Sequence, residues 1–183
     1  MNDTYTLTIN NETPHNSPIV ATFKKISFEQ FRKDFDKATN NMYDIEQVRK
    51  YYDEIKLPKR STASSAGYDF YCPATFMVNV DKPTLIPTGI CCEMRNDYVL
   101  MLHIRSSLGF KYGTTLRNGT GIIDADYINA DNEGHIMAKL VTEEPLVINQ
   151  GDRFMQGLFT QYGITVDDEA EGSRMGGFGS TGV

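Results

Sequence analysis

Residues 121–127 read Gly-Ile-Ile-Asp-Ala-Asp-Tyr, and the interpretation of the whole chain starts from this stretch. Its two β-branched isoleucines favour a short strand, and Gly119 and Gly121 allow a tight bend or a close ligand approach there. A carboxylate such as Asp124 at the end of a buried strand lies in a low dielectric, which raises its basicity. Taken alone, the stretch favours a simpler hairpin with solvent-facing acids, so a functional interpretation depends on segments elsewhere in the chain.

The bulk composition is typical of one globular domain with an appendage: 183 residues, 40% hydrophobic and 23% charged. No apolar run approaches the ~18 residues that span a bilayer, and residues 1–10 lack the features of a secretory signal. The net charge of −6 argues against general binding to nucleic-acid backbones. A small polyanion could still bind at a local cluster of cations, helped by a metal ion.

Cysteine usage indicates a reducing compartment. The chain has three cysteines, Cys72, Cys91 and Cys92, an odd number without CxxC spacing. Neither a disulfide framework nor a zinc site is therefore predicted, and reduced, buried thiols in a cytoplasm are expected.

Helical spacing is confined to the first third of the chain. An edge strand is expected at residues 5–10, followed by a loop at residues 11–18. Ser27 and Gln30 resemble a capping box, and phenylalanines recur at helical spacing behind them, so a helix is predicted from Phe28 to about Thr39. A second helix is predicted from about residue 43 to residue 55, before Pro58. One face of it would carry Ile45, Val48, Tyr52 and Ile55.

After Pro58, short β-rich segments alternate with turn residues, which predicts an all-β sandwich or barrel. The candidate strands are residues 67–72, 75–80, 84–94, 98–104, 121–124, 135–142, 145–148 and 153–161. Residues 167–183 are acidic and then glycine-rich, and this composition predicts a disordered end.

Two further segments carry chemistry. Residues 105–111, Arg-Ser-Ser-Leu-Gly-Phe-Lys, offer a guanidinium group, two hydroxyl groups and successive N–H groups, a suitable cradle for phosphate oxygens. Residues 176–182, Gly-Gly-Phe-Gly-Ser-Thr-Gly, could place N–H groups on phosphate and a ring on a base, where stacking contributes roughly 1–3 kcal/mol. Taken alone, the first segment is a weak signal that also fits a surface turn, and the composition of the second favours a floppy tail.

Five stretches, taken in order, resemble the five motifs of the trimeric dUTP diphosphatases (dUTPases). The similarity covers about residues 57–183, and residues 1–55 lie outside it. The motif-like stretches are residues 66–70, 105–113, 118–127, 151–156 and 174–182.

The resemblance implies an all-β, jelly-roll-like dUTPase fold with a short helical N-terminal extension. It implies hydrolysis of dUTP to dUMP and pyrophosphate with Mg²⁺ on the triphosphate, which lowers dUTP and supplies dUMP for thymidylate synthesis. It further implies a homotrimer with three shared active sites, in a bacterial cytoplasm or in the host cytoplasm of a phage.

Site residues follow from the resemblance position by position. Asp124 corresponds to the carboxylate that activates the water attacking the α-phosphorus, and Tyr127 to the ring packed on the deoxyribose. Asn118 corresponds to the side chain that reads uracil, and Phe178 to the ring that closes over it. The other implied positions are the uracil pocket at Gly121, Ile122, Ile123 and Met137; phosphate contacts at Arg105, Ser106, Ser107, Gln156, Arg174, Ser180 and Thr181, with Ser106 catalytic near the α–β bridge; and Asp69 as a structural or outer-sphere acid near the metal waters.

The chain departs from the family pattern at three places. Ile104 stands where the family often has proline, and Arg174 lies four residues before Phe178, where many relatives place the arginine five before. Residues 128–134 predict a longer hairpin, either a loop insertion or a subfamily contact surface. The expected division is an N-terminal extension at residues 1–56, a β core at 57–166 and a flexible lid at 167–183.

Two alternatives remain beside the dUTPase interpretation. dCTP deaminases share the fold and an Arg-Ser-Ser stretch, although the Asp124 to Tyr127 pattern and the glycine-rich tail favour the diphosphatase. A dUTPase-like scaffold could also bind a regulatory protein through residues 1–55 and the 128–134 loop.

Overall fold

The computed structural model describes residues 17–172 and Gly176. The edge strand expected at residues 5–10 lies outside the described residues, as do Arg174, Phe178, Ser180 and Thr181. In chain order the elements are β1 (Ala21–Lys25), α1 (Phe28–Thr39), α2 (Ile45–Asp53), β2 (Lys59–Arg60), β3 (Tyr68–Tyr71), β4 (Phe76–Val78), β5 (Thr84–Met94), β6 (Tyr98–Ile104), α3 (Ser106–Tyr112), β7 (Thr115–Leu116), β8 (Gly121–Ile123), a 3-10 helix (Ala125–Asn129), β9 (Ile136–Val141), β10 (Leu146–Ile148) and β11 (Arg153–Gln161).

The described strands form three antiparallel sheets. Their strand orders are β2-β3-β11-β6-β8, β1-β5-β9-β7 and β10-β4. In β9, Ile136, Ala138 and Leu140 are buried while the residues between them are more exposed, the alternation of a strand with one face on the core. All eight strands that the sequence predicted between residues 67 and 161 are present, so the all-β prediction is confirmed.

Helix α1 has the predicted bounds, and its Phe31 and Phe35 are fully buried against the β core. The predicted capping box is only half formed. The Ser27 hydroxyl accepts from the Gln30 N–H group at 3.2 Å, but the Gln30 side chain donates to Asp34 instead. The Ser27 N–H group donates to the carboxylate of Glu133 at 2.7 Å, so a residue far along the chain completes the cap.

Helix α2 is shorter than predicted because Asp44 caps its start and Glu54 its end. Val48 and Ile55 are buried as expected, but Ile45 is half exposed, so its assignment to the packed face is wrong. The extension and the β core nevertheless share one hydrophobic cluster. The domain boundary at residue 56 stays a prediction.

The sequence did not predict β1, β2, β7 or α3. Strand β1 pairs with β5 through its backbone, which needs no apolar alternation in its own sequence. Helix α3 occupies the segment interpreted as a phosphate cradle, and Gly113 ends it in the left-handed conformation, with φ of 60°.

A bulge in β5, between Pro87 and Ile90, joins the extension to the core. Gly89 there has φ of 72°, and a Cβ atom would lie 2.3 Å from Ile55 Cδ1, so glycine is required. Its carbonyl group accepts from the Ile26 N–H group at 3.1 Å.

The cysteines are buried and free, which confirms the predicted state of these thiols. Burial raises the pKa of both Cys72 and Cys92 to about 12, so neither is a thiolate near neutral pH. Across the described part of the chain, none of the helices has the length and apolarity needed to cross a bilayer.

Candidate active site

A cavity of about 180 Å³, called here the β8 pocket, gathers six of the predicted site residues. Gly121 pairs with Leu102 of β6 at the edge of the five-stranded sheet, where a Cβ atom would lie 3.1 Å from Leu102 Cβ. Glycine therefore lets β8 lie close against β6 beside the cavity. The predicted residues that line the pocket are Asn118, Gly121, Ile122, Ile123, Tyr127 and Met137.

Asp124 directly follows β8 and precedes the 3-10 helix, with extended backbone at φ −76° and ψ 158°. Gly121 and Ile123 are buried, whereas Ile122 and Asp124 are exposed, so strand alternation places the carboxylate on the outer side. The expectation that Asp124 is buried in a low dielectric is thus wrong for the described chain alone.

Tyr127 is only 5% exposed, and its ring borders the β8 pocket. Its hydroxyl group donates to the His135 carbonyl group at 3.1 Å and accepts from Asn132 Nδ2 at 2.9 Å. The ring is therefore held by the loop that follows it. The hairpin predicted at residues 128–134 is wrong, because a 3-10 helix and turns join β8 to β9 and these two strands lie in different sheets.

Asp69 binds two arginines, Arg105 directly before α3 and Arg153 at the start of β11. Its Oδ1 lies 3.1 Å from Arg105 Nε, and its Oδ2 lies 3.0 Å from Arg153 Nη1. Ser61 donates its hydroxyl hydrogen to Oδ2 at 2.6 Å. One carboxylate therefore orients two guanidinium groups, which are groups suited to contact phosphate oxygens, and Asp152 lies beside them in the same pocket.

Arg105 and Arg153 both line a second cavity of about 270 Å³, called here the arginine pocket. The exposed Ser106 and Ser107 follow Arg105 at the start of α3. Sequence reasoning assigned no role to Arg153, although it lies inside the fourth motif-like stretch. No local pattern in the sequence singles it out, because its ion pair with Asp69 forms only when β3 and β11 lie side by side, with Arg153 opposite Tyr71.

Gln156 packs over the first motif-like stretch. In β11 it lies opposite Asp69 on one side and His103 on the other. A Cβ atom at Gly67 would lie 3.2 Å from Gln156 Oε1, so the glycine leaves room for this amide.

The two pockets have no lining residue in common. The predicted uracil reader Asn118 lines the β8 pocket, and the predicted base Asp124 follows the lining residue Ile123 in the chain, whereas Arg105 lines the other pocket. The described chain therefore does not unite the two halves of the predicted site in a single cavity.

Within residues 17–172, no group of three His, Cys, Asp or Glu side chains could hold a metal ion. Both carboxylate oxygens of Asp69 are already engaged, in ion pairs with Arg105 and Arg153 and in a hydrogen bond from Ser61. These side chains fit a Mg²⁺ ion that is bound mainly by the phosphates of a nucleotide and by water molecules. They do not provide a cage of protein ligands.

Comparisons with known proteins point to one family. The sequence pattern of the dUTPase family matches residues 53–182. The deoxyuridine 5'-triphosphate nucleotidohydrolase of Lactococcus lactis is 43% identical over 145 residues, covering 76% of this chain and 97% of that protein. The protein of the same name from Desulfitobacterium hafniense is 33% identical over 138 residues, covering 70% of this chain and 88% of that protein.

Solved structures agree. The crystal structure of dUTPase from Streptococcus mutans is 40% identical with a TM-score of 0.56, covering 62% of this chain and 91% of that one. A dUTPase from phage phi11 of S. aureus, 19% identical with a TM-score of 0.54, covers 64% of this chain and 90% of its own and supports the fold alone. That phage protein is described with a structural Mg(II) ion.

Proposed function

The chain belongs to the dUTPase family and hydrolyses dUTP to dUMP and pyrophosphate, and from this premise we propose how its residues share the reaction between the two pockets. The β8 pocket would take the deoxyuridine and the arginine pocket the phosphates. The observation that carries this division is the presence of six predicted nucleoside residues around one cavity.

In the β8 pocket, the Asn118 side chain would pair with the uracil edge. A neutral amide can offer both a donor and an acceptor, and a wrong base would leave buried polar groups unpaired, which makes the discrimination steep. Tyr127 would pack on the deoxyribose, where a 2′-hydroxyl group would clash.

Asp124 would accept a proton from the water whose oxygen attacks the α-phosphorus. The bond from that phosphorus to the α–β bridging oxygen then breaks, and pyrophosphate leaves. A positioned carboxylate base contributes typically ~10²–10⁴ in rate. Because Asp124 is exposed in the described chain, this step needs cover, which we propose comes from a neighbouring subunit and the C-terminal residues.

In the arginine pocket, Arg105, Ser106 and Ser107 would contact the phosphates, with Gln156 nearby and Asp69 holding Arg105 in place. Neutralising the triphosphate is necessary before a nucleophile can approach it. Mg²⁺ on the triphosphate would neutralise further phosphate charge and ease the departure of pyrophosphate. Asp69 would act on that ion no closer than through a water molecule.

We further propose a homotrimer in which each active site combines residues of different subunits. The separation of the two pockets in one chain supports this arrangement, since a shared site leaves each subunit with incomplete halves. Arg174, Ser180 and Thr181 would contact the γ-phosphate, and Phe178 would close over uracil. The buried free thiols suit a bacterial or phage-host cytoplasm.

A nucleotide panel tests the function directly. The protein is incubated with dUTP, UTP, dCTP and dTTP, with and without Mg²⁺, and both pyrophosphate and ammonia are measured. We expect Mg²⁺-dependent pyrophosphate from dUTP and little from the other nucleotides. Ammonia from dCTP would instead support the deaminase alternative, and equal turnover of dUTP and dCTP would contradict the proposed reading of uracil.

A further inference from the structure

The loop that holds Tyr127 has an unusual backbone. Glu133 and Gly134 are consecutive residues in the left-handed region, with φ of 58° and 66°. A Cβ atom at Gly134 would lie 2.7 Å from Ile128 Cα, so the loop closes tightly on the 3-10 helix. A glutamate rarely adopts this conformation unless surrounding contacts hold it there.

Helix α1 supplies the first such contact. The carboxylate of Glu133 accepts from the Ser27 N–H group at 2.7 Å and from the Ser27 hydroxyl group at 2.6 Å. Ser27 is also the N-cap of α1, so Glu133 is tied to the rigid start of a helix.

The second contact lies deeper and joins Asp34 to His135. His135 is fully buried, and its Nδ1 lies 2.6 Å from Asp34 Oδ2. The Gly89 N–H group donates to His135 Nε2 at 2.9 Å. Because Nε2 accepts that hydrogen bond, the ring proton is assigned to Nδ1, which donates to Asp34.

Asp34 is fixed in turn by Gln30, whose amide donates to Oδ2 at 2.7 Å. Burial would raise the pKa of Asp34, but the hydrogen bonds from His135 and Gln30 outweigh it, and the pKa lies below its ordinary value. The carboxylate is therefore charged at neutral pH and makes a strong contact with the ring.

Both contacts lead to Tyr127. The His135 carbonyl group accepts the tyrosine hydroxyl hydrogen, and Asn132, in the same loop, donates to the hydroxyl oxygen. A displacement of the loop would therefore move the ring in the β8 pocket.

We infer that Ser27 and Asp34 are positioning residues for substrate selection: through Glu133 and His135, helix α1 braces the loop at residues 128–135, and the loop holds Tyr127 against the sugar. This inference rests on the proposed role of Tyr127 in the function above. It gives the helical extension, which carries none of the five motifs, a part in discrimination between deoxyribose and ribose.

The test compares kcat and KM for dUTP and UTP in the full-length protein, well below its melting temperature. Asp34→Ala should lower the ratio of kcat/KM for dUTP over UTP roughly tenfold, within the ~10²-fold that a misplacement of about 1 Å can cause. Asp34→Asn should recover most of the ratio, because its amide oxygen can still accept from His135. Asp36→Ala is the matched control, since Asp36 lies on the same helix and pairs with Arg32 at 3.4 Å.

Asp34→Ala leaves a buried imidazole N–H group without its acceptor and could fail to fold. Glu133→Ala breaks only the exposed contact with Ser27 and should shift the ratio in the same direction by a smaller factor. Amide hydrogen exchange of residues 125–135 should rise in both variants and not in the Asp36→Ala control.

Tyr127→Ala separates this inference from the proposed function. A lower ratio in Tyr127→Ala but an unchanged ratio in Asp34→Ala and Glu133→Ala would overturn the brace and leave the sugar role standing. An unchanged ratio in Tyr127→Ala would overturn the proposed contact of Tyr127 with the sugar. It would also overturn the inference that helix α1 influences substrate selection through Tyr127.

Discussion

At the scale of single residues, two carboxylates of the candidate site, Asp69 and Asp124, differ in their surroundings. Asp69 is buried and contacts Arg105, Arg153 and Ser61. Its negative charge is therefore paired with two guanidinium groups, which it orients. Asp124, by contrast, is exposed at the end of β8. The contacts of Asp69 fit its proposed role of holding the two arginines in place.

Substituting Asp124→Asn should lower kcat by roughly 10²–10⁴, because the amide cannot accept the proton of the attacking water. Binding of dUTP should persist, since the shape is nearly unchanged, and calorimetry would measure it separately from turnover. Asp81→Asn, at an exposed carboxylate between β4 and β5, is the control and should turn over normally. Near-normal kcat in Asp124→Asn would remove the base assignment.

At the scale of elements, β5 shows how an irregular strand connects two parts of the chain. Its bulge turns the Gly89 N–H group toward His135 and the Gly89 carbonyl group toward Ile26, in addition to the regular ladder with β9. The aromatic face of α1 packs into the same region, with Phe31 Cδ2 3.1 Å from the position of a Cβ atom on Gly89. The bulge is thus the point where extension, core and the Tyr127 loop meet.

Gly89→Ala should therefore destabilise the protein by roughly 2–4 kcal/mol, combining left-handed strain with overpacking against Ile55. Denaturant titration followed by circular dichroism would measure the loss. The control is Gly163→Ala, since a Cβ atom there meets nothing within 4 Å, and it should change stability by less than about 0.5 kcal/mol. Equal effects of the two substitutions would contradict the tight fit at the bulge.

At the scale of the whole molecule, the described chain has two separate pockets, which the proposed function treats as halves of one site. The β8 pocket and the arginine pocket are lined by different residues, and Asp124 lacks cover. Assembly of several copies would bring a β8 pocket of one subunit to the arginine pocket of the next. The proposed assembly would explain why residues so far apart in the fold fit one reaction.

Mixing two inactive variants tests this assembly. Arg105→Ala and Asp124→Asn, unfolded together in equal amounts and refolded, should regain about a quarter of wild-type activity, because half of the subunits keep Asp124 and half of their neighbours keep Arg105. Each variant refolded alone is the control and should stay inactive. Mixed samples that form trimers but regain no activity would show that both residues act from one subunit.

Local patterns in the sequence predicted much of the fold and part of the site. The helical spacing of Phe28, Phe31 and Phe35 gave the correct helix, because one face of a helix repeats every three to four residues. The eight strands followed from alternation and turn residues in the same way. Six of the predicted substrate residues line one cavity because most of them come from one continuous stretch, residues 118–127.

Only the tertiary structure decided the partners of the buried charges. Asp34 and His135 are 101 positions apart in the chain, and Ser27 and Glu133 are 106 positions apart, so no periodicity connects them. Asp69 likewise finds Arg153 only when β3 and β11 pair. The sequence determined which residues are apolar, extended or helical, since those properties are local. Folding determined which charge meets which donor, because burial makes an unpaired charge costly and only the packed chain brings its partners within reach.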